Sequence, residues 1–230
     1  NIESNPGVRY TPLMLHHVIQ ALIIGDLLQT VLLRVRPYEA EAGAATDLYN
    51  KWDKITRSFF ANDGQVPELG RRLRYPQLVK LIVEAFDELP LQDIPRKPRI
   101  GLTGEILVKF HPDANNDAVR VIESEGCEAH LSGLLDFFLY SFSNIRWNSE
   151  NIGATKTNPF WSTALVRLLE WYRKPVMRAL NQTGGKFPMP EPIERTAARA
   201  EKVLSRGNAC GEGWYLTGEM LDINGGKYMM

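Results

Sequence analysis

The chain has 230 residues, with 27 Lys plus Arg against 27 Asp plus Glu, four histidines and two cysteines. That length buries a sizeable core without metal or disulfide staples, and a formal charge of zero gives no whole-molecule field toward nucleic acid or an anionic membrane. Cys127 and Cys210 form neither a disulfide framework nor a C-x-x-C pair, which points to a reducing, cytoplasmic setting.

The apolar stretch from Leu13 to Val35 is interrupted by His16, His17, Gln20, Asp26, Gln29 and Arg34. It stays short of the roughly 18 consecutive apolar residues of a membrane span, so a buried helix is expected, capped by Thr11, opened by Pro12 and stopped by Pro37. No basic region followed by a cleavage site marks a secretion signal, and the opening Asn-Ile-Glu-Ser-Asn reads like the interior of a longer polypeptide. A second, amphipathic helix is expected from Thr46 to Phe60, where Leu48, Tyr49, Trp52, Ile55 and Phe59 recur at spacings of three and four. Pro76 opens a third, Gln77 to Leu89, and Pro95 and Pro98 mark the segment from Leu91 as a linker.

From Arg99 to Val108 the chain becomes β-branched and apolar with interspersed glycine, which predicts a strand leading into a polar turn at His111 to Asn116. A helix from Asp117 to Glu125, ended by Gly126, and a short strand from Cys127 to Leu131 complete a βαβ unit with parallel strands. Leu134 to Phe142 starts another helix, and Asn144 to Asn158 reads as irregular. A long helix then runs from Pro159 to Leu180, with a kink expected at Pro175. Gly184, Gly185 and prolines 188, 190 and 192 form a hinge before a helix from Ile193 to Ser205, and Gly213 to Ile223 is a last short helix. The expected class is thus helix-rich α/β with a small parallel sheet. Residues 1–95 form a helical segment packing on the core of 96–230, within one integrated domain. Thr-Gly-Glu occurs twice, at 103–105 and 217–219.

Ligands of open parallel sheets sit beyond the carboxyl ends of strands, which singles out Thr103, Gly104, Glu105, His111 and Asn115 as candidate substrate-binding residues. Gly104 would let the backbone approach a ligand, and Glu105 could accept hydrogen bonds or a proton. The alternative is structural: Gly104 permits a bulge, Glu105 pairs with a nearby Lys or Arg, and Asn115 caps a helix. His16 and His17 point to different sides of their helix and read as core and capping residues. A metal cluster needs more thiolates than this chain has, so Cys210, in its glycine-rich loop, would ligate metal only with ligands from outside the chain. Cys127, entering a strand, reads as a buried thiol. No G-x-S-x-G elbow, G-x-G-x-x-G or P-loop is present, so no nucleophile and base can be paired and the catalytic residues stay unassigned. Arg167, Arg173, Lys174 and Arg178, interleaved with Trp171 and Tyr172, suit either an ordinary solvated face or a binding surface.

Four segments together resemble a known family: Gly25-Asp-Leu-Leu with Arg34-Val-Arg-Pro-Tyr-Glu39, Gly43 and Tyr49-x-x-Trp52; Arg99 to Pro112 with Asn115-Asn116; Glu125-Gly126 with Leu134-Leu-Asp-Phe-Phe-Leu-Tyr140; and Cys210 to Met220. They look like the component that accompanies, or is fused to, the ATP-dependent activases of 2-hydroxyacyl-CoA dehydratases and benzoyl-CoA reductases. The resemblance implies a Rossmann-like α/β body, anaerobic acyl-CoA metabolism as lyase or reductase, an activase subunit or domain as partner, and an iron–sulfur cluster in the full-length protein. The cysteine-bearing stretch that the family shows soon after Met220 is missing here, so this portion is expected to hold no cofactor of its own and not to be catalytic alone. Two functions follow as expectations. One is a scaffold contributing part of a substrate or cluster pocket around Glu105, His111, Asn115 and Cys210. The other is a non-catalytic module docking the activase or a second copy, a homodimer, through the helix from Phe160 to Leu180, with no nucleic-acid or membrane partner.

Overall fold

The computed structural model describes residues 11–153, 158–208 and 213–223. Helix α1 (Pro12–Val35) begins as its sequence requires: the Thr11 side chain accepts a hydrogen bond from the Met14 N–H, and Pro12 occupies the first turn, where a missing N–H costs nothing. By length and composition this helix could cross a membrane. Its second half, from Ile23 to Val35, is instead buried among protein, while Leu13, Leu15 and Val18 in its first half are exposed. Burial of α1 is thus concentrated in its carboxyl half, with Gln20 buried ahead of it.

Around that half pack α2 (Ala44–Ala61), α3 (Tyr75–Asp87), α6 (Leu134–Asn151) and α7 (Pro159–Asn181). Trp52, Ile55 and Phe59 line the inner stripe of α2, and Leu78, Ile82 and Phe86 that of α3, with relative exposures of 6% or less. Spacings of three and four put each set on one face of a helix, so area removed from water drives the docking, at roughly 25 cal/mol per Å². The same apolar cluster continues into α8 (Ile193–Ala200) and α9 (Gly213–Ile223) through Ile193, Ala197, Trp214 and Tyr215, so the core spans both halves of the sequence.

Strands β3 (Arg99–Leu102) and β4 (Glu128–Leu131) pair in parallel, Arg99 opposite Glu128 and Leu102 opposite Leu131. Helices α4 (Ile106–Phe110) and α5 (Ala118–Ser124) lie between them in sequence, so the expected βαβ unit is present. A hairpin of β1 (Gln65–Val66) and β2 (Arg71–Arg72), too short to carry a pattern in sequence, joins α2 to α3. About two-thirds of the fold is helical, and its parallel sheet has two strands among the described residues.

Four boundaries differ from the sequence expectation, one of them at α8, which ends at Ala200 and not at Ser205. The strand expected to reach Val108 stops at Leu102, because Glu105 accepts a hydrogen bond from the Val108 N–H and starts α4. The stretch 144–151, expected to be irregular, is helical, because polar residues there occupy the partly exposed continuation of an amphipathic helix whose inner side carries Leu135, Leu139, Tyr140 and Ser143. Helix α7 runs on past Pro175, with Val176, Ala179 and Leu180 buried beyond it to hold the last turns.

Candidate functional site

At the carboxyl end of β4 the chain turns through Ser132 and Gly133 into α6. Gly133 is the N-terminal cap and has no side chain to satisfy the first N–H groups of that helix. Asp26, from the middle of α1, does so instead: its two oxygens accept from Leu134 N and Leu135 N, each at 2.8 Å. A methyl group on Gly133 would lie 2.6 Å from Asp26 Oδ2, so the absence of a Cβ is what lets the carboxyl reach the helix end. Charge of that sign is favoured there by the helix dipole. Asp26 is nonetheless enclosed by protein, and burial outweighs its two N–H donors and nearby Arg173, while Asp136 adds repulsion; its pKa is pushed up to about 7.

Asp26 forms one wall of a cavity of about 110 Å³. Other polar walls are Ser132, Asp136, Arg173, Tyr215 and Glu219, while Ile23, Leu27, Val176, Leu180 and Met189 supply apolar surface. Five separate stretches of chain meet here: α1, the β4–α6 turn, α7, the segment after it, and α9. Arg173 is 3% exposed. Its guanidinium donates to Asp136 Oδ1 at 2.5 Å, to both oxygens of Glu170 at 3.2 and 2.7 Å, and to the Glu191 carbonyl at 2.8 Å. Burial opposes its charge, but the carboxylates of Asp136 and Glu170 more than offset that and raise its pKa. This arginine was grouped by sequence with the solvated basic face of α7; in the structure Arg167, Lys174 and Arg178 are exposed and Arg173 alone turns inward.

Lys109, 5% exposed, donates from Nζ to Ser132 Oγ at 2.5 Å. On the α9 side, Tyr215 and Glu219 are 1% and 8% exposed. Burial raises both pKa values, and each adds to the other's environment together with Ser132. Tyr215 hydrogen-bonds with Glu219 and Ser132, and Glu219 with Ser132, so the three form one buried polar cluster on this wall.

Thr103, Gly104, Glu105, His111 and Asn115, singled out by sequence, are not in the walls of this cavity. Gly104 follows β3 with φ of 154°, a conformation open to glycine, and Thr103 is half-buried. Glu105 caps α4, where an ion pair had been the structural alternative. Asn115 accepts from Ala118 N and donates to the carbonyls of Val108 and Lys109, the cap that the structural reading expects. His111 is exposed. Lys109 is the link between that turn and the cavity. His16 binds Tyr172 Oη at 2.6 Å and Gln20 at 3.0 Å, as a satisfied partly buried histidine should. Cys210 falls outside the described residues.

Sequence reasoning passed over Asp26, Asp136, Tyr215 and Glu219, whose segments are far apart along the chain. With the geometry in hand, comparison with known proteins adds no assignment. No family model, curated protein or solved structure matches the chain. Among the described residues no three of His, Cys, Asp and Glu group to hold a metal, and the chain's two cysteines fall short of the four thiolates of a [4Fe–4S] cluster. The residues present do not fit that group by themselves, and no chemistry is assigned to it here.

Proposed function

We propose that this chain is the Rossmann-like portion of an acyl-CoA dehydratase- or reductase-like protein linked to an ATP-dependent activase, and that it supplies one side of the substrate pocket. The observation that carries the reading is the cavity at the carboxyl end of β4, walled by Asp26, Ser132, Arg173, Tyr215 and Glu219. Such cavities beyond strand ends, apolar with a few convergent polar groups, are where α/β proteins hold small ligands. Support also comes from sequence, because segments that resemble the family converge on these walls. At about 110 Å³ the cavity admits a chain a few atoms long and not a nucleotide, so it would take the acyl or thiol end of a coenzyme A thioester.

Met189 lines the cavity and is 41% exposed, so enlarging it narrows the entrance without disturbing the core. Met189→Trp is expected to weaken binding of a short-chain acyl-CoA at least tenfold by isothermal titration calorimetry while leaving the melting temperature unchanged. Equal affinity in the two proteins would remove the pocket from the proposal.

A second reading, docking of the activase or a second copy, is favoured by one observation: Phe160, Trp161 and Trp171 of α7 are 58–66% exposed. Large aromatics open to solvent are a common mark of interfaces. Light scattering and capture of the activase test it, and a monomer that captures no activase counts against it.

A further inference from the structure

We infer that one end of the helical bundle, where the amino halves of α1 and α7 lie together, docks on an anionic lipid bilayer, with apolar and aromatic side chains entering the interface and basic side chains around them meeting the headgroups. The inference is independent of the acyl-CoA pocket, and it gives the open aromatics of α7 a lipid surface in place of a protein partner. The two helices run in the same direction. His16 Nδ1 lies 2.6 Å from Tyr172 Oη, and further along both helices Ile23 and Leu27 wall the same cavity as Val176 and Leu180. Their amino ends therefore share one end of the molecule. Leu13, Leu15 and Val18 of α1 are 50–60% exposed there, and Phe160, Trp161, Leu168 and Trp171 of α7 are 42–66% exposed. Helix α7 thus carries two apolar stripes, an inner one with Val166, Leu169 and Val176 and an outer one with Phe160, Leu168 and Trp171. The core uses only the first, and an outward stripe of this size marks a binding surface.

Charge selects the occupant. The ring of Phe60, at the carboxyl end of α2, lies 5.7 Å from that of His17, and the Tyr75 hydroxyl, at the amino end of α3, donates to the Tyr172 carbonyl at 3.2 Å. The β1–β2 hairpin that joins α2 to α3 therefore belongs to the same end. Of its exposed charges, Arg57 is matched by Asp53 and Arg72 by Asp63. Arg71, Arg74, Arg167 and Lys174 are exposed and have no ion-pair partner among the described residues, against Glu68, which accepts from Ser58. A formal charge of zero for the whole chain thus conceals a basic end. A second copy seated here about a two-fold axis would set these cations against their own duplicates. Lipid phosphates neutralise them, and Trp, Phe and Leu beside Lys and Arg is the composition of helices that lie in a membrane interface. From Pro12 to Gly25, α1 has no Asp, Glu, Lys or Arg to desolvate. Its length and composition suit a crossing, but the second half of the helix is buried in the protein core, so only the exposed amino half is open to lipid and the contact is peripheral.

The test sediments the full chain with vesicles of phosphatidylcholine mixed with phosphatidylglycerol, and with vesicles of phosphatidylcholine alone. Saturable binding to the mixed vesicles at low salt is expected, at least tenfold tighter than to the neutral ones, with tryptophan fluorescence quenched by brominated acyl chains. Trp161→Ser combined with Trp171→Ser should weaken that binding at least tenfold, and Arg167→Gln or Lys174→Gln about fivefold each. All four side chains are exposed, so the melting temperatures should hold, which separates lost binding from lost folding. No binding to the mixed vesicles, equal binding to the neutral ones, or binding of the double tryptophan variant within twofold of the parent overturns the inference. So does a dimer or an activase complex, seen by light scattering or capture, that forms in the parent through these tryptophans while the vesicles stay unbound.

Discussion

The two ends of β4 handle buried charge in opposite ways. At the amino end Glu128, 2% exposed, is fully engaged: Arg34 Nη1 at 3.2 Å and Tyr38 Oη at 2.9 Å meet one oxygen, and Arg96 approaches the other at 3.5 Å. Arg36 closes the same surface by donating twice to Glu123, and Glu39 accepts from the N–H groups of Gly43 and Ala45. At the carboxyl end, Asp26, Tyr215 and Glu219 line a cavity, and burial raises the pKa of all three. A network of ion pairs ties elements together and keeps its charge, whereas carboxyl groups buried beside a cavity are pushed toward their neutral form.

The largest expected effect probes the saturated end. Glu128→Ala strands Arg34 in a buried setting and should cost about 3–5 kcal/mol, read as a lowered urea midpoint. A loss under 1 kcal/mol would mean that this network contributes little and would blur the contrast. Next, Gly133→Ala pushes a methyl group into the Asp26 carboxyl and should cost about 1–3 kcal/mol, with weakened ligand binding as its companion. An unchanged melting temperature there would show that the helix end does not depend on Asp26.

A pH measurement follows. Asp26 titrates near 7 in the folded protein against 3.8 as its ordinary value, so between those limits the folded state holds a proton that the unfolded state has released. Stability from this group is therefore present in full below about pH 4 and is lost as pH rises toward 7. The loss is on the order of 2 kcal/mol, discounted because the carboxyl keeps part of its surface on the cavity. Asp26→Asn should flatten melting temperature against pH across that window, and parallel curves would refute the assignment. The smallest effect is that of Tyr215→Phe, which removes the phenol bonded to Glu219 and Ser132 and should cost about 0.5–1.5 kcal/mol by urea unfolding. A loss above about 3 kcal/mol would put this end on a par with the Glu128 network and would erase the difference between the ends.

Sequence patterns located the elements whose signals are local. Thr11 with Pro12, the three-and-four spacing of Trp52, Ile55 and Phe59, and the alternation of strand, helix and strand from Arg99 to Leu131 each appear in the structure close to where periodicity places them. The cavity was not legible in the same way, because its walls come from α1, α6, α7 and α9, and no window of sequence holds two of them in contact. Of the two Thr-Gly-Glu triplets, the one after a recognisable strand drew attention, yet Glu105 caps a five-residue helix while Glu219 of the other lines the cavity. Asp26 offered the best clue: a carboxylate within the apolar run of a helix needs a buried partner, and only the fold reveals that the partner is a helix end 108 residues away.

That separation has a kinetic meaning. Helix α6 begins at a glycine that offers no side-chain acceptor, so its first turn stays frayed until α1 has docked alongside. The 18-residue helix and the 24-residue helix should therefore acquire amide protection together in pulsed hydrogen exchange, the nucleus being assembled from both halves of the chain rather than from either one first.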